Sequence, residues 1–141
     1  MREILFRAKR LDNGEWVEGF YCNLGGKYHY ILTGMLDITK GYPEFVNHQI
    51  DPTTGGQFTG MWGKNGKRVF EGDIVSTDLE RPYLIVEFRD GCFMFNCNDK
   101  GEDYYDIMLP ILKEPQTVYK YGEVIGNIHD NPELLEVTPD E

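Results

Sequence analysis

Hydrophobic and polar residues alternate with a period near two along most of this chain, the signature of strands that bury one face. Residues 3–8 set Glu3 and Arg7 around Ile4, Leu5, Phe6 and Ala8, and residues 15–21 repeat the pattern with Trp16, Val17, Phe20 and Tyr21. Asp12-Asn13-Gly14 between them is a turn signal, so the pair predicts a hairpin. Gly25-Gly26 marks the next turn, ahead of an aromatic strand at 28–32. The alternation fades through 34–56, where Asp51-Pro52 and Gly55-Gly56 predict a loop or linker with at most a short strand at 45–50.

Further on, Asn65-Gly66 predicts a two-residue type I′ turn closing a hairpin between 58–62 and 68–70, because both central positions of that turn need positive φ. Gly72-Asp73 predicts a bend into 74–76. Strands at 82–88 and 92–97 flank Asp90-Gly91, with Leu84, Val86 and Phe88 on one face and Phe93 and Phe95 together on a face of the partner. An acidic loop (Asp99, Glu102, Asp103, Asp106), an apolar segment at 107–112 and a last strand at 123–128 follow. Asn131-Pro132-Glu133 predicts a helix start, Asn131 as N-cap and Pro132 in the first helical position, with Leu134 and Leu135 tucked against the body.

Composition supports the strand reading. Ala, the best helix former, occurs once, at Ala8, while sixteen glycines and seven prolines interrupt the chain too often for long helices. With 141 residues and 40% hydrophobic content the chain can build a core without disulfides or metals. The expected fold class is mainly β, an antiparallel barrel-like or sandwich architecture of short strands with one short C-terminal helix. The expected organisation is an N-terminal β subdomain over 1–55, a barrel-like β subdomain over 56–137 sharing a core with it, and a flexible tail at 138–141.

Charge narrows the partners. Residues 1–70 carry nine Lys/Arg against seven Asp/Glu (+2), and 71–141 carry five against seventeen (−12), which together make the net charge of −10. That acidity disfavours phosphate backbones and anionic membranes. Arg7, Lys9 and Arg10, and Lys64, Lys67 and Arg68, are the local basic clusters, read first as solvated surface. Cys22, Cys92 and Cys97 are an odd, widely spaced set without a C-x-x-C pair, which predicts free thiols in a reducing cytoplasm. The start, MREILFRAKR, has no apolar signal-peptide core, and no run is long enough to span a membrane as a helix.

Two long motifs stand out: GQFTG…NGKRVFEGDIV within 56–75 and VIGNIHDNPELLE at 124–136. With Ile4, Phe6, Arg7 and Ala8 at the start, they resemble the YopX family of phage and prophage proteins over nearly the whole chain. Met61, Gly63 and Phe70 depart from the family pattern, where Leu, Asp and Tyr are expected. The resemblance implies a β-rich, phage-encoded protein and no particular activity.

Much of the signature reads as architecture. Gly60, Gly66, Gly72 and Gly126 suit turns and close strand approaches. Asn65, Asp73, Asn127, Asn131 and Pro132 suit turns and caps. Phe58, Val69, Phe70, Ile74, Val124, Ile125 and Ile128 read as core. Gln57, Thr59, Trp62 and Glu71 form the candidate binding patch, since polar-aromatic clusters on loops tend to carry recognition. His29, His48 and His129 share no zinc-type spacing with Cys, Asp or Glu. Glu71 with Asp73, or Asp103 with Asp106, are the candidate carboxylate pairs, and Tyr104, Tyr105, Tyr119 and Tyr121 could stack bases or fill a core.

No catalytic residue, cofactor or metal site is assigned. The preferred reading is a non-catalytic phage accessory protein that works by binding, with self-association and an unidentified host or phage protein as expected partners. One alternative is a modulator of nucleic-acid machinery, either an acidic DNA mimic or a weak binder through Lys64, Lys67 and Arg68. The other is a divergent metal-dependent hydrolase using Glu71 and Asp73.

Overall fold

The computed structural model describes residues 3–37, 39–77, 83–99, 102–107, 118–119 and 122–136. The chain divides into two compact units, Met1–Phe58 and Thr59–Glu141. The expected apolar segment at 108–112, the tail at 138–141, Pro82 and Tyr121 lie outside the described residues.

The first unit is built from β1 (Phe6–Arg10), β2 (Trp16–Leu24), β3 (Tyr28–Asp37) and the first part of β4 (Tyr42–Gly63). All four run antiparallel in a closed circuit, β1 to β2, β2 to β3, β3 to β4, and β4 back to β1. Ala8, Ile31 and Ile50 are buried at its centre, with Phe6 and Val17 packed against them. The chain's single alanine is thus a core residue, fully buried.

The stretch read as a loop is a 22-residue strand. Its turn residues form a bulge inside that strand, because Arg7 pairs with Gly56 while Lys9 pairs with Asp51, so that the four residues 52–55 of β4 face the single Ala8 of β1. The Thr54 hydroxyl closes the gap: it accepts the backbone N–H of Lys9 at 2.8 Å and donates to the Asp51 carbonyl at 2.6 Å. Pro52 is tolerated there because a bulge asks no ladder N–H of it.

The second unit holds the end of β4 with β5 (Arg68–Phe70) and β10 (Val118–Tyr119), the latter pairing in parallel with Trp62 and Gly63. It also holds a five-stranded antiparallel sheet of β6 (Asp73–Thr77), β7 (Leu84–Arg89), β8 (Cys92–Asp99), β9 (Glu102–Ile107) and β11 (Gly122–Asn127), in the order β11-β6-β7-β8-β9. Met61, Val69, Val75, Val86 and Phe95 make its core, backed by Leu84, Phe93 and Val124. Val86 pairs with Phe95 and Phe88 with Phe93, so the two expected apolar faces are one.

The structure differs from the sequence reading at five further places. Of the acidic loop, Asp99 ends β8 and Glu102, Asp103 and Asp106 belong to strand β9, whose charges suit a sheet edge that must not recruit another strand. The Asn65-Gly66 turn has positive φ only at Gly66 (80°), and Gly66 N–H donates to the Gly63 carbonyl at 2.9 Å. The turn is thus a type I turn followed by one left-handed glycine. Asp90 (52°) and Gly91 (83°) do both take positive φ. The expected short C-terminal helix is there, as a single 3₁₀ turn over Pro132–Leu135, but the Asn131 side chain does not cap it. Ile128 and Leu135, expected inside, are each 37% exposed.

Candidate functional site

Among the four patch residues, Gln57, Thr59 and Trp62 sit on β4, and Glu71 sits in the turn between β5 and β6. Gln57 pairs with Phe6 in the first unit, whereas the other three belong to the second. The Thr59 hydroxyl donates to the Val69 carbonyl at 2.8 Å and accepts the Met61 N–H at 3.1 Å. It pins the strand where Gly60 departs from extended geometry at φ 86°. Trp62 is half-buried under the Arg68 guanidinium, whose carbon lies 4.8 Å from the ring centroid, a cation–π contact.

The second cluster surrounds the Gly72 turn. Asp73 is buried at 1% exposure and its Oδ2 accepts the Phe70 N–H at 2.7 Å. Gly72 donates its N–H to the Val86 carbonyl and accepts the Ile128 N–H at its own, at 2.8 and 2.9 Å. Asp73 and Asn127 stand opposite each other in the β6–β11 ladder. Asn127 Oδ1 accepts the backbone N–H groups of His129 (3.0 Å) and Asp130 (2.9 Å), while its Nδ2 donates to the Asp130 carboxylate at 3.2 Å. Asn131 Oδ1 accepts the Asn127 N–H at 3.2 Å, so this side chain folds back onto the strand and does not cap the turn that follows. Short polar side chains hold the loop by substituting for backbone partners.

Of the three histidines, His129 lies in this loop, and His29 and His48 belong to the first unit. Tyr21 Oη and His29 Nδ1 form a short hydrogen bond on the first unit, and His48 Nε2 meets Thr33 Oγ1 at 3.1 Å. Asp12 is exposed, and its carboxyl is held below the ordinary carboxylate value, first by its hydrogen bond from Arg10 and also by that residue's charge. Among the described residues no group of three or more His, Cys, Asp or Glu is placed to hold a metal ion. Tyr105 on β9 accepts from Arg89 Nη1 at 2.7 Å and lies under the same guanidinium.

A surface missed by the sequence reading lies on the first unit. The β2–β3 and β3–β4 registers pair Leu24 with Tyr28, Cys22 with Tyr30 and Gln49, Phe20 with Leu32 and Asn47, and Gly34 with Phe45. Strand alternation puts all of these on the face opposite Ile31 and Ile50. Phe20, Leu24, Tyr28 and Phe45 are 45–56% exposed there, Cys22, Tyr30 and Leu32 are half-buried, and none of the ten positions carries a charge. Phe45 leans over Gly34, its ring 3.8 Å from where a Cβ would stand. The signal was present: Tyr28, Tyr30 and Leu32 flank His29 and Ile31, an uninterrupted run that fits a strand with two apolar faces.

Comparison with solved structures finds a crystal structure of protein EF1440 from Enterococcus faecalis at a TM-score of 0.50 and 24% identity, covering 96% of this chain and all of that one. That likeness speaks to the fold alone. No curated protein matches. No helix among the described residues is long and apolar enough to cross a membrane. The sequence model described as YopX protein matches residues 5–136, spanning both motifs and both units. This chain belongs to the YopX family.

Proposed function

We propose that this protein is a phage or prophage accessory factor that acts in the cytoplasm by binding another protein, through the apolar face of β2, β3 and β4. The observation that carries the reading is that face itself: four large apolar side chains about half exposed and no charge among ten positions. Charge depletion with aromatic enrichment is the composition of interface cores. The signature polar residues Thr59, Asp73, Asn127 and Asn131 support it indirectly, since their side chains bond to nearby backbone.

The hydrolase alternative finds no support in the buried Asp73, whose carboxylate accepts a backbone N–H out of contact with solvent. Of the expected patch, Thr59, Trp62 and Glu71 share the second unit and remain a secondary candidate, with Trp62 and Arg68 as the recognisable pair.

The test is a pull-down from phage-infected host cells with two baits, the native chain and the Phe20→Asp/Phe45→Asp variant. Proteins retained by the native bait and lost by the variant support binding through this face. An identical set on both baits, with neither bait self-associating, refutes it.

A further inference from the structure

Resting on that reading, we propose that the occupant of the β2–β3–β4 face is a second copy of the same chain, packed sheet against sheet across a two-fold axis. The apolar stripe runs from Leu24 and Tyr28, through Cys22 and Tyr30, then Phe20 and Leu32, to Phe45 over Gly34. Its ends match in character, a large aromatic beside a smaller neighbour at each. A two-fold axis near the centre lays the Phe20–Phe45 end of one copy on the Leu24–Tyr28 end of the other, the self-complementarity that an isologous contact needs.

Area agrees. A large aromatic side chain carries about 150–250 Å², so Phe20, Tyr28 and Phe45 near half exposure, with Leu24 and the half-buried Cys22, Tyr30 and Leu32, offer about 500 Å² of apolar surface. A standard interface covers roughly 800 Å² per partner, about 60% of it apolar. The stripe therefore supplies the apolar share of one such footprint, and the exposed Asn47 and Gln49 begin its polar rim.

Charge selects the partner. The first unit carries six Lys/Arg against seven Asp/Glu, a net −1, while the second carries eight against seventeen, a net −9. Copies meeting through these ten uncharged positions, with Glu18 at the Phe20 end of β2 as part of the rim, avoid the like-charge repulsion that the second unit would impose. Nucleic acid would find no cation on the face to meet its phosphates.

Light scattering after size exclusion, at tens of micromolar, is expected to show a dimer for the native chain and a monomer for Phe20→Asp/Phe45→Asp. Phe88→Asp, altering an equally exposed phenylalanine of the second unit, should leave the dimer intact. Circular dichroism identifies a variant that has failed to fold. A second measurement needs no such variant. Packed sheets lie about 10 Å apart, and Cys22 sits beside the centre of the stripe, so a short bismaleimide should join two copies through Cys22. Cys22→Ser should abolish that link, and Cys92→Ser and Cys97→Ser should not. A native monomer, or a dimer without Cys22-dependent linking, overturns the proposal. A monomer that floats with neutral phosphatidylcholine vesicles assigns the face to lipid and overturns it too. A native monomer whose captured partners still depend on Phe20 and Phe45 overturns self-association alone, leaving the binding reading in place.

Discussion

Gly126 and Asn131 compete for the same space: a Cβ at position 126 would stand 2.5 Å from Oδ1 and 2.8 Å from Cγ of Asn131. That Oδ1 is the atom accepting the Asn127 N–H. Gly126→Ala must therefore displace the Asn131 side chain and is expected to cost about 1–3 kcal/mol, the range for overpacking a tight site. In an Asn131→Gly background the methyl has room, so the two losses should sum to less than their separate values. Urea denaturation of the two single variants and the double variant measures this coupling.

Asp73 offers a cleaner separation of charge from hydrogen bonding. Asp73→Ala leaves the buried Phe70 N–H without its acceptor and is expected to cost about 2–3 kcal/mol. Asp73→Asn keeps a carbonyl oxygen in place and should lose about half of that. Unfolding followed through Trp62 in a Trp16→Phe background reads the unit concerned. Equal losses for the two variants would show that the charge, and not the acceptor, matters.

In the first unit the tightest approach is at Gly19, where a Cβ would meet the Leu32 carbonyl oxygen at 2.2 Å and Ile31 Cγ2 at 3.0 Å. A backbone oxygen cannot rotate aside, so Gly19→Ala has to part β2 from β3. The expected loss is about 3 kcal/mol, at the upper end of overpacking costs. Trp16 fluorescence in a Trp62→Phe background should show it, with lost hydrogen-exchange protection at Phe20 and Leu32.

The Arg10–Asp12 pair gives a pH signature. Asp12's carboxyl is depressed chiefly by the hydrogen bond from Arg10, at 2.6 Å. A carboxylate whose folded value lies below its unfolded value contributes stability above the unfolded value, and that contribution is lost as pH falls through the folded one. Exposure and salt screening keep the contribution small. Arg10→Gln should therefore move the Asp12 titration upward toward the ordinary carboxylate range, followed by NMR of its side-chain carbon, with little change in overall stability.

The most local features were the most legible. Asp90-Gly91 announces its turn because positive φ is a property of two residues and hardly depends on the rest of the fold. Phe58, Val69, Phe70 and Ile74 read as core from their apolar character within the first motif, and all four are buried. The 22-residue β4 was not legible. Asp51-Pro52 and Gly55-Gly56 are turn signals in any isolated peptide, and only the distant Lys9 N–H, 45 positions from the Thr54 hydroxyl, makes them a bulge inside a strand. Asn131 misled in the same way: it stands where an N-cap belongs, yet its acceptor is taken by Asn127 N–H, a partner that the strand end brings within reach.

Strand-rich character, the Asp90-Gly91 turn and family membership were thus fixed by neighbouring residues, because alternation, steric freedom and motif spacing are all short-range. Register decided the rest. The same pleat that hides Ile31 and Ile50 turns Phe20, Leu24, Tyr28 and Phe45 outward together, and no one-dimensional pattern states which of β3's two apolar faces will find the core.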